Sequence, residues 1–233
     1  GSSLVGSEMC IRDRMIMVNS PCNPTGAVYT REEIEEIVSI AIEHDLWIVS
    51  DEIYSRLIWN GGEHVSPATI EGGKERTIVI SGWSKTWAMT GMRVGFLAGP
   101  EQAVRAAVKC QANSASHIPT FMMEAARVAL DCDDHVERFS DAYRQRRKLM
   151  VQGLEDIPGL RIVNPEGAFY LFIDVSGTGM SDVEFADGAL EAGVQLIPAS
   201  LITGGEGFIR VSYAASEEDI KEGISRLRSW LLQ

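Results

Sequence analysis

"MIMVNSPCNPTGAVYTREEIEEIVSIAIEHDLWIVSD", residues 15–51, decides the fold class. Two short apolar runs, Met15–Val18 and Leu46–Ser50, stand on either side of a helical pattern. Such runs, too short for helices and without polar alternation, read as buried parallel strands. Between them, Thr30 and Glu33 have capping-box spacing, and Ile34, Ile37, Val38 and Ala41 fall on one apolar stripe of a helix. Strand, helix, strand at this spacing is a βαβ unit, so the first part of the chain reads as α/β. Thr77–Ile80 extends the series as a third strand, and Val94–Ala98 follows as a fourth.

Beyond residue 100 the texture changes. Residues 101–112 and roughly 120–156 read as helices, the second group long and charged. Strands are expected at "AFYLFIDV", "VQLIP" and "GFIRVSY", with helices at 181–192 and 217–232, the last capped by Ser216 with Asp219. That is a smaller α+β module. The reading divides the chain into a non-native or disordered leader at 1–13, a partial large domain at 14–130 and a small C-terminal domain at 131–233.

The 233 residues are 45% hydrophobic, enough for a sizeable core. A net charge of −12 argues against nucleic acid and against anionic membrane surfaces as partners. Cys10, Cys22, Cys110 and Cys132 form no CxxC and no disulfide framework, which suits a reducing, cytoplasmic setting. No apolar run reaches transmembrane length. His44, His64, His117 and His135 form no HExxH, and no metal is expected.

In open α/β sheets, ligands bind beyond the carboxyl ends of the strands. The first strand here runs into Asn23, the second ends at Asp51 with Tyr54 three residues on, and the third ends at Ser81, leading to Ser84 and Lys85. Each has a bland reading: Asn23 as a turn former, Asp51 as a helix cap, Tyr54 as packing, Lys85 as a solvated surface residue. Lys85, however, has no charged residue within seven positions on either side, and the next is Arg93. An amide, a carboxylate, a phenol and an amine at successive strand ends suit one site better than four accidents. A desolvated lysine can form a Schiff base with a carbonyl. A carboxylate facing a heterocyclic nitrogen keeps it protonated and makes the ring an electron sink. An arginine fork takes a phosphate. Together these are the needs of pyridoxal phosphate.

"NSPCNPTG", "SDEIYSRL" and "SGWSKTWAMTGMRVGF" resemble the signature blocks of the class I and II aminotransferases, the fold type I pyridoxal-phosphate enzymes. "PEGAFYLFIDV" and "EGFIRVSYAAS" resemble their C-terminal blocks. The resemblance runs from about residue 15 to the end. It implies a partial fold type I large domain, a mostly parallel sheet with helices, followed by the smaller module. It also implies roles. Lys85 would be the Schiff-base lysine and proton shuttle, Asp51 the partner of the pyridinium nitrogen, and Asn23 and Tyr54 donors to the ring oxygen. Arg93, helped by Ser84 or Ser81, would bind the phosphate, and Arg210, with Asn23 beside the substrate, would clamp its α-carboxylate.

Two departures accompany the resemblance. Family members are longer at the N-terminus, where a Gly-rich phosphate loop and a ring-stacking aromatic are found. In "IPASLITGGEGF", Ala199 and Ile202 or Thr203 stand where the family has a Pro-Gly and an aromatic. The implied function is amino-group transfer between an amino acid and a 2-oxo acid, with a homodimer as the assembly. The alternatives are a lyase or decarboxylase on the same scaffold, or a truncated, non-catalytic fragment that binds the cofactor.

Overall fold

A computed structural model describes residues 13–59 and 61–232. The leader expected at 1–13 lies outside the described residues but for Asp13. The chain forms two compact units. One comprises the chain through Ser20, Tyr29–Ser55 and Glu63–Asp133; the other comprises Pro21–Val28, Arg56–Gly62 and the chain from Asp134 onward. The division therefore falls near residue 133, but two short segments early in the chain, including Asn23, belong with the C-terminal unit.

The first unit holds a four-stranded sheet in the order β1 (Met15–Asn19), β2 (Trp47–Asp51), β3 (Thr77–Gly82), β4 (Gly95–Ala98). The first three strands are parallel and β4 is antiparallel to β3. Helix α1 (Arg31–Glu43) makes the β1–β2 crossover. Its start is the expected capping box: the Glu33 amide donates to Thr30 Oγ1 at 3.2 Å, and the Thr30 amide donates to Glu33 Oε2 at 2.8 Å. It stops in a Schellman motif, with Leu46 N–H on the Ala41 carbonyl at 2.8 Å and Asp45 N–H on Ile42 at 3.3 Å. Asp45 occupies the left-handed position (φ 50°) usually given to glycine.

Ile34, Val38 and Ala41 of α1 pack on Val18, Leu46 and Ile48, all buried. Parallel register sets Met17 beside Val49 and Asn19 beside Asp51, and Asp51 beside Ile80. Alternation then puts Ile16, Val18, Ile48 and Ser50 on the α1 side, and Met15, Met17, Asp51 and Ile80 on the other. That second face corrects the expectation of strands buried on both sides: Met15 is 56% and Met17 73% exposed. β1 is an edge strand. Gly82 faces Gly95 where β3 and β4 close; a Cβ on Gly82 would lie 2.7 Å from the Val94 carbonyl oxygen, so the pairing needs glycine. Helices α2 (Glu101–Ser114) and α3 (Thr120–Ala129) follow.

The second unit contains most of α4 (Asp133–Leu154), so the helical stretch expected at 120–156 is two helices separated by a turn at Leu130–Cys132. Its sheet has the order β5 (Arg161–Ile162), β6 (Tyr170–Asp174), β8 (Phe208–Ser212), β7 (Ile197–Pro198), antiparallel throughout. β5 is absent from the sequence reading, because two residues carry no periodicity. α5 (Asp182–Glu191) and α6 (Glu217–Leu231) start at Ser181 and Ser216 caps. The core gathers Leu154, Ile157, Leu171, Ile173, Phe185 and Ile209.

Candidate active site

In the first unit, register brings the carboxyl ends of β1, β2 and β3 level, with Asn19, Asp51 and Ile80 abreast. This is where six of the eight expected site residues sit. Asp51 is half-buried, and one carboxylate oxygen accepts the Ile53 amide at 3.2 Å. The helix-cap role weighed for Asp51 is not found, since no helix follows it; its carboxylate instead closes a turn that carries Tyr54 straight back into the interior, 3% exposed. Lys85 is half-buried, and its Nζ lies 6.0 Å from the centre of the Tyr54 ring. The amine and the phenol therefore meet, although 31 residues of chain separate them. Ser81 donates to the Glu52 carbonyl at 3.2 Å, and Ser84 is half-buried beside Lys85.

The Lys85 turn is shaped by two left-handed residues that are not glycine, Ala88 (φ 54°) and Arg93 (φ 53°). Such conformations cost free energy and concentrate at functional sites. Around Lys85, Trp83 lies 5.8 Å from Trp87 with the rings tilted by 31°, and meets Phe96 edge-on at 5.8 Å. Arg93 is exposed, with one guanidinium nitrogen on the Thr90 carbonyl at 2.9 Å. Arg93 and Ser81 line the same open cavity of about 700 Å³, whose other walls come from β4, α2 and α3. Asp51, Tyr54 and Lys85 do not line that cavity.

In the second unit, Arg210 lies mid-strand with Phe208 and Ser212 on its face, while Ile209, Val211 and Tyr213 are buried behind it. No carboxylate pairs with Arg210 among the described residues. Instead Nη1 donates to Asn23 Oδ1 at 3.0 Å, and the guanidinium lies 4.7 Å over the ring of Tyr170. Asn23 and Arg210, 187 residues apart, are thus one cluster. The loop bearing Asn23 is held by main-chain bonds: Glu166 and Gly167 both donate to the Gly26 carbonyl at 2.8 Å. Behind it, Trp59 Nε1 donates to Tyr213 Oη at 3.0 Å, and that hydroxyl donates to the Ala168 carbonyl at 3.1 Å. Burial pushes the Tyr213 phenol far above the ordinary tyrosine range, so it stays protonated as this donor.

Sequence reasoning missed Tyr170, although "PEGAFYLF" already stood among the quoted blocks. It also missed the buried Glu52 and its partners His64 and Ser66. The signal was available: Glu52 follows Asp51 in a strand end, so the two must face opposite sides, and a carboxylate on the packed side needs donors.

The family described as aminotransferase class I and II matches residues 6–227, and the chain belongs to that family. Its solved neighbours are fold type I aminotransferases. An aspartate aminotransferase of Pyrococcus abyssi is 40% identical over 225 residues, covering 94% of this chain and 58% of that protein. Aromatic-amino-acid aminotransferase 2 of Thermococcus litoralis is 41% identical with the same coverage. Among solved structures, an aromatic aminotransferase from Pyrococcus horikoshii superposes with a TM-score of 0.90 at 41% identity, covering 94% of this chain and 60% of that one. The chain therefore spans somewhat over half the length of these relatives.

Class I and II aminotransferases depend on pyridoxal phosphate. The donor set of the first unit fits that group: a half-buried amine against a buried phenol, a strand-end carboxylate, and a guanidinium with a serine hydroxyl on one cavity wall.

Proposed function

We propose that the chain works as a pyridoxal-phosphate-dependent aminotransferase, moving an amino group between an amino acid and a 2-oxo acid. The observation that carries this reading is Lys85, half-buried and set 6.0 Å from the Tyr54 ring in the unit whose adjacent strand ends at Asp51. Family membership supports the reaction type, and relatives named for aspartate and aromatic amino acids support an amino-acid substrate.

When bound, the cofactor supplies an electron sink for the substrate Cα and a carrier for the amino group. The chain's own residues do the rest. Lys85 would hold the cofactor and, released, take the proton from the substrate Cα and return it. Asp51 would keep the ring nitrogen protonated, and Tyr54 with Asn23 would donate to the ring oxygen. Arg93 with Ser81 or Ser84 would bind the phosphate. Arg210 would take the substrate α-carboxylate, steadied by Asn23 on one side and Tyr170 beneath. Its fork matches a carboxylate in two parallel bonds.

The homodimer belongs to the same proposal. It is supported by the apolar surface of the first unit, where Met17, Phe96 and Phe121 are 73%, 46% and 69% exposed. A monomer in sedimentation at micromolar concentration would refute it. A reducing, cytoplasmic setting is proposed on the unpaired thiols of Cys22, Cys110 and Cys132.

The test is an absorbance spectrum of the purified chain with pyridoxal phosphate, before and after an amino acid. The reading requires a visible band on cofactor addition and its loss when the amino acid arrives. No band rules out the cofactor. A band that amino acids leave unchanged leaves only the cofactor-binding fragment.

A further inference from the structure

Glu52 follows Asp51 at the end of β2 and turns to the opposite side of the sheet. It is 8% exposed and has three polar side chains around it. Oε1 accepts from Ser50 Oγ at 2.9 Å and from Ser66 Oγ at 2.5 Å, and His64 Nε2 stands 3.0 Å from Oε2. Burial pushes this carboxyl up. The His64 ring facing Oε2, with the hydrogen bonds from Ser66 and Ser50, more than offsets that and holds it below the ordinary glutamate range. An anion here is an expensive way to hold a strand, since an apolar residue of similar size usually serves as well. What an anion with fixed donors adds over an apolar residue is direction and charge.

The main chain indicates the task. Glu52 N–H donates to the Ile80 carbonyl at 2.8 Å, and the Glu52 carbonyl accepts from Ser81 Oγ at 3.2 Å and from the Ser55 amide at 3.0 Å. One residue earlier, the Asp51 carbonyl accepts from the Ser20 amide at 3.3 Å and from Asn19 Nδ2 at 3.4 Å. Residue 52 is thus the junction at which the Asp51 strand end, the turn carrying Tyr54, and Ser81 at the head of the Lys85 turn are tied together. Its side chain is in turn tied to Ser66 and His64, on a segment that approaches from elsewhere in the same unit.

We propose that Glu52, anchored by His64, Ser66 and Ser50, is a positioning residue for the cofactor site: it fixes the Asp51–Tyr54 turn against Ser81 and so sets where the Asp51 carboxylate meets the ring nitrogen. Glu52 touches neither cofactor nor substrate and acts through Asp51. The inference rests on the pyridoxal-phosphate reading above.

The experiment compares the full chain with Glu52→Gln and His64→Gln. Pyridoxal phosphate is titrated by absorbance at a temperature where melting curves show each variant folded, and the bound form is trapped with borohydride. Glu52→Gln keeps the shape but loses the charge and one acceptor site. It should weaken cofactor binding at least tenfold and alter the spectrum of the bound cofactor across pH. His64→Gln keeps a neutral N–H donor toward Glu52 and should retain most of the wild-type affinity. If Glu52→Gln lowers the melting temperature yet binds within twofold with an unchanged spectrum, Glu52 is only a packed ion-pair member and the inference falls, while the proposed function stands. If the wild-type chain itself yields no trapped cofactor, the proposed function fails, and the inference with it. Should Glu52→Gln not fold, Ser66→Ala carries the test: threefold or greater weakening in a folded variant supports positioning, and unchanged binding overturns it.

Discussion

Arg210→Lys separates a substrate clamp from a structural arginine. In the structure Arg210 gives one N–H to Asn23 Oδ1 at 3.0 Å and lies 4.7 Å over Tyr170. Among the described residues no carboxylate pairs with it, so the rest of its five-donor fork is available to a ligand. Lysine keeps the charge but not the planar pair of bonds. A hydrogen bond to a charged group contributes about 1.5–3 kcal/mol. A cation stacked on an aromatic face adds about 0.5–1 kcal/mol at a partly exposed site. Losing one of the two fork bonds and most of the stacking removes roughly 2–4 kcal/mol. At about 1.4 kcal/mol per factor of ten, that is roughly 30- to 700-fold in kcat/KM for every accepted amino acid. The matching assay is steady-state kinetics, with the affinity of a carboxylate analogue measured alongside. Cofactor affinity and the resting spectrum should hold, and the melting temperature should move little because Arg210 fills no closed core position. A variant that melts several degrees lower yet binds carboxylates normally would refute this reasoning and make Arg210 a structural residue.

Asp51→Asn keeps the side-chain oxygen that accepts the Ile53 amide, so its melting temperature should match the wild type. Turnover should fall by orders of magnitude, because an unprotonated pyridine is a poor electron sink; near-normal kcat in steady-state assays would contradict the assigned role. Gly26→Ala should cost more than about 2 kcal/mol in urea unfolding. Gly26 sits at φ +71°, which costs an alanine about 1–2 kcal/mol, and its new Cβ would lie 2.4 Å from Pro165 Cβ. An unchanged unfolding midpoint would mean that the loop bearing Asn23 is looser than the structure shows. Glu52 gives a pH prediction. Its folded pKa is depressed, so its contribution is complete above the unfolded value of about 4.3 and drains away as pH falls through the folded value. Below about pH 4 the wild type should therefore lose stability faster than Glu52→Gln, as chemical denaturation at stepped pH would show; parallel loss would count against the network.

Much of the fold was legible because its signals are local. Thr30 and Glu33 announce the start of α1, and the stripe of Ile34, Val38 and Ala41 announces its buried face. The parallel strands and their level carboxyl ends followed from short apolar runs, and these put Asp51, Tyr54 and Lys85 in one unit. What was not legible depends on distant partners. Met15 and Met17 read as buried because a short apolar run does not say which of its two faces is packed. Leu130–Cys132 breaks a helical stretch without glycine or proline, so nothing local marks the interruption. Asn23 read as a member of the first unit because it follows β1. Its placement beside Arg210 depends on Gly26 packing against Pro165 and Gly167, a contact more than 130 residues away along the chain. Tyr170 and Glu52 were in plain view in quoted blocks, but their significance lies in the groups they touch.

Lys85 is the residue on which the functional account turns, and its bond to the cofactor can be tested directly. The full chain is incubated with pyridoxal phosphate, reduced with borohydride, digested and mapped by mass spectrometry. The account predicts one predominant modified site, at Lys85, lost in Lys85→Ala while Lys74 and Lys109 stay unmodified. Predominant labelling at Lys74 or Lys109, or equal labelling of all exposed lysines, would contradict it.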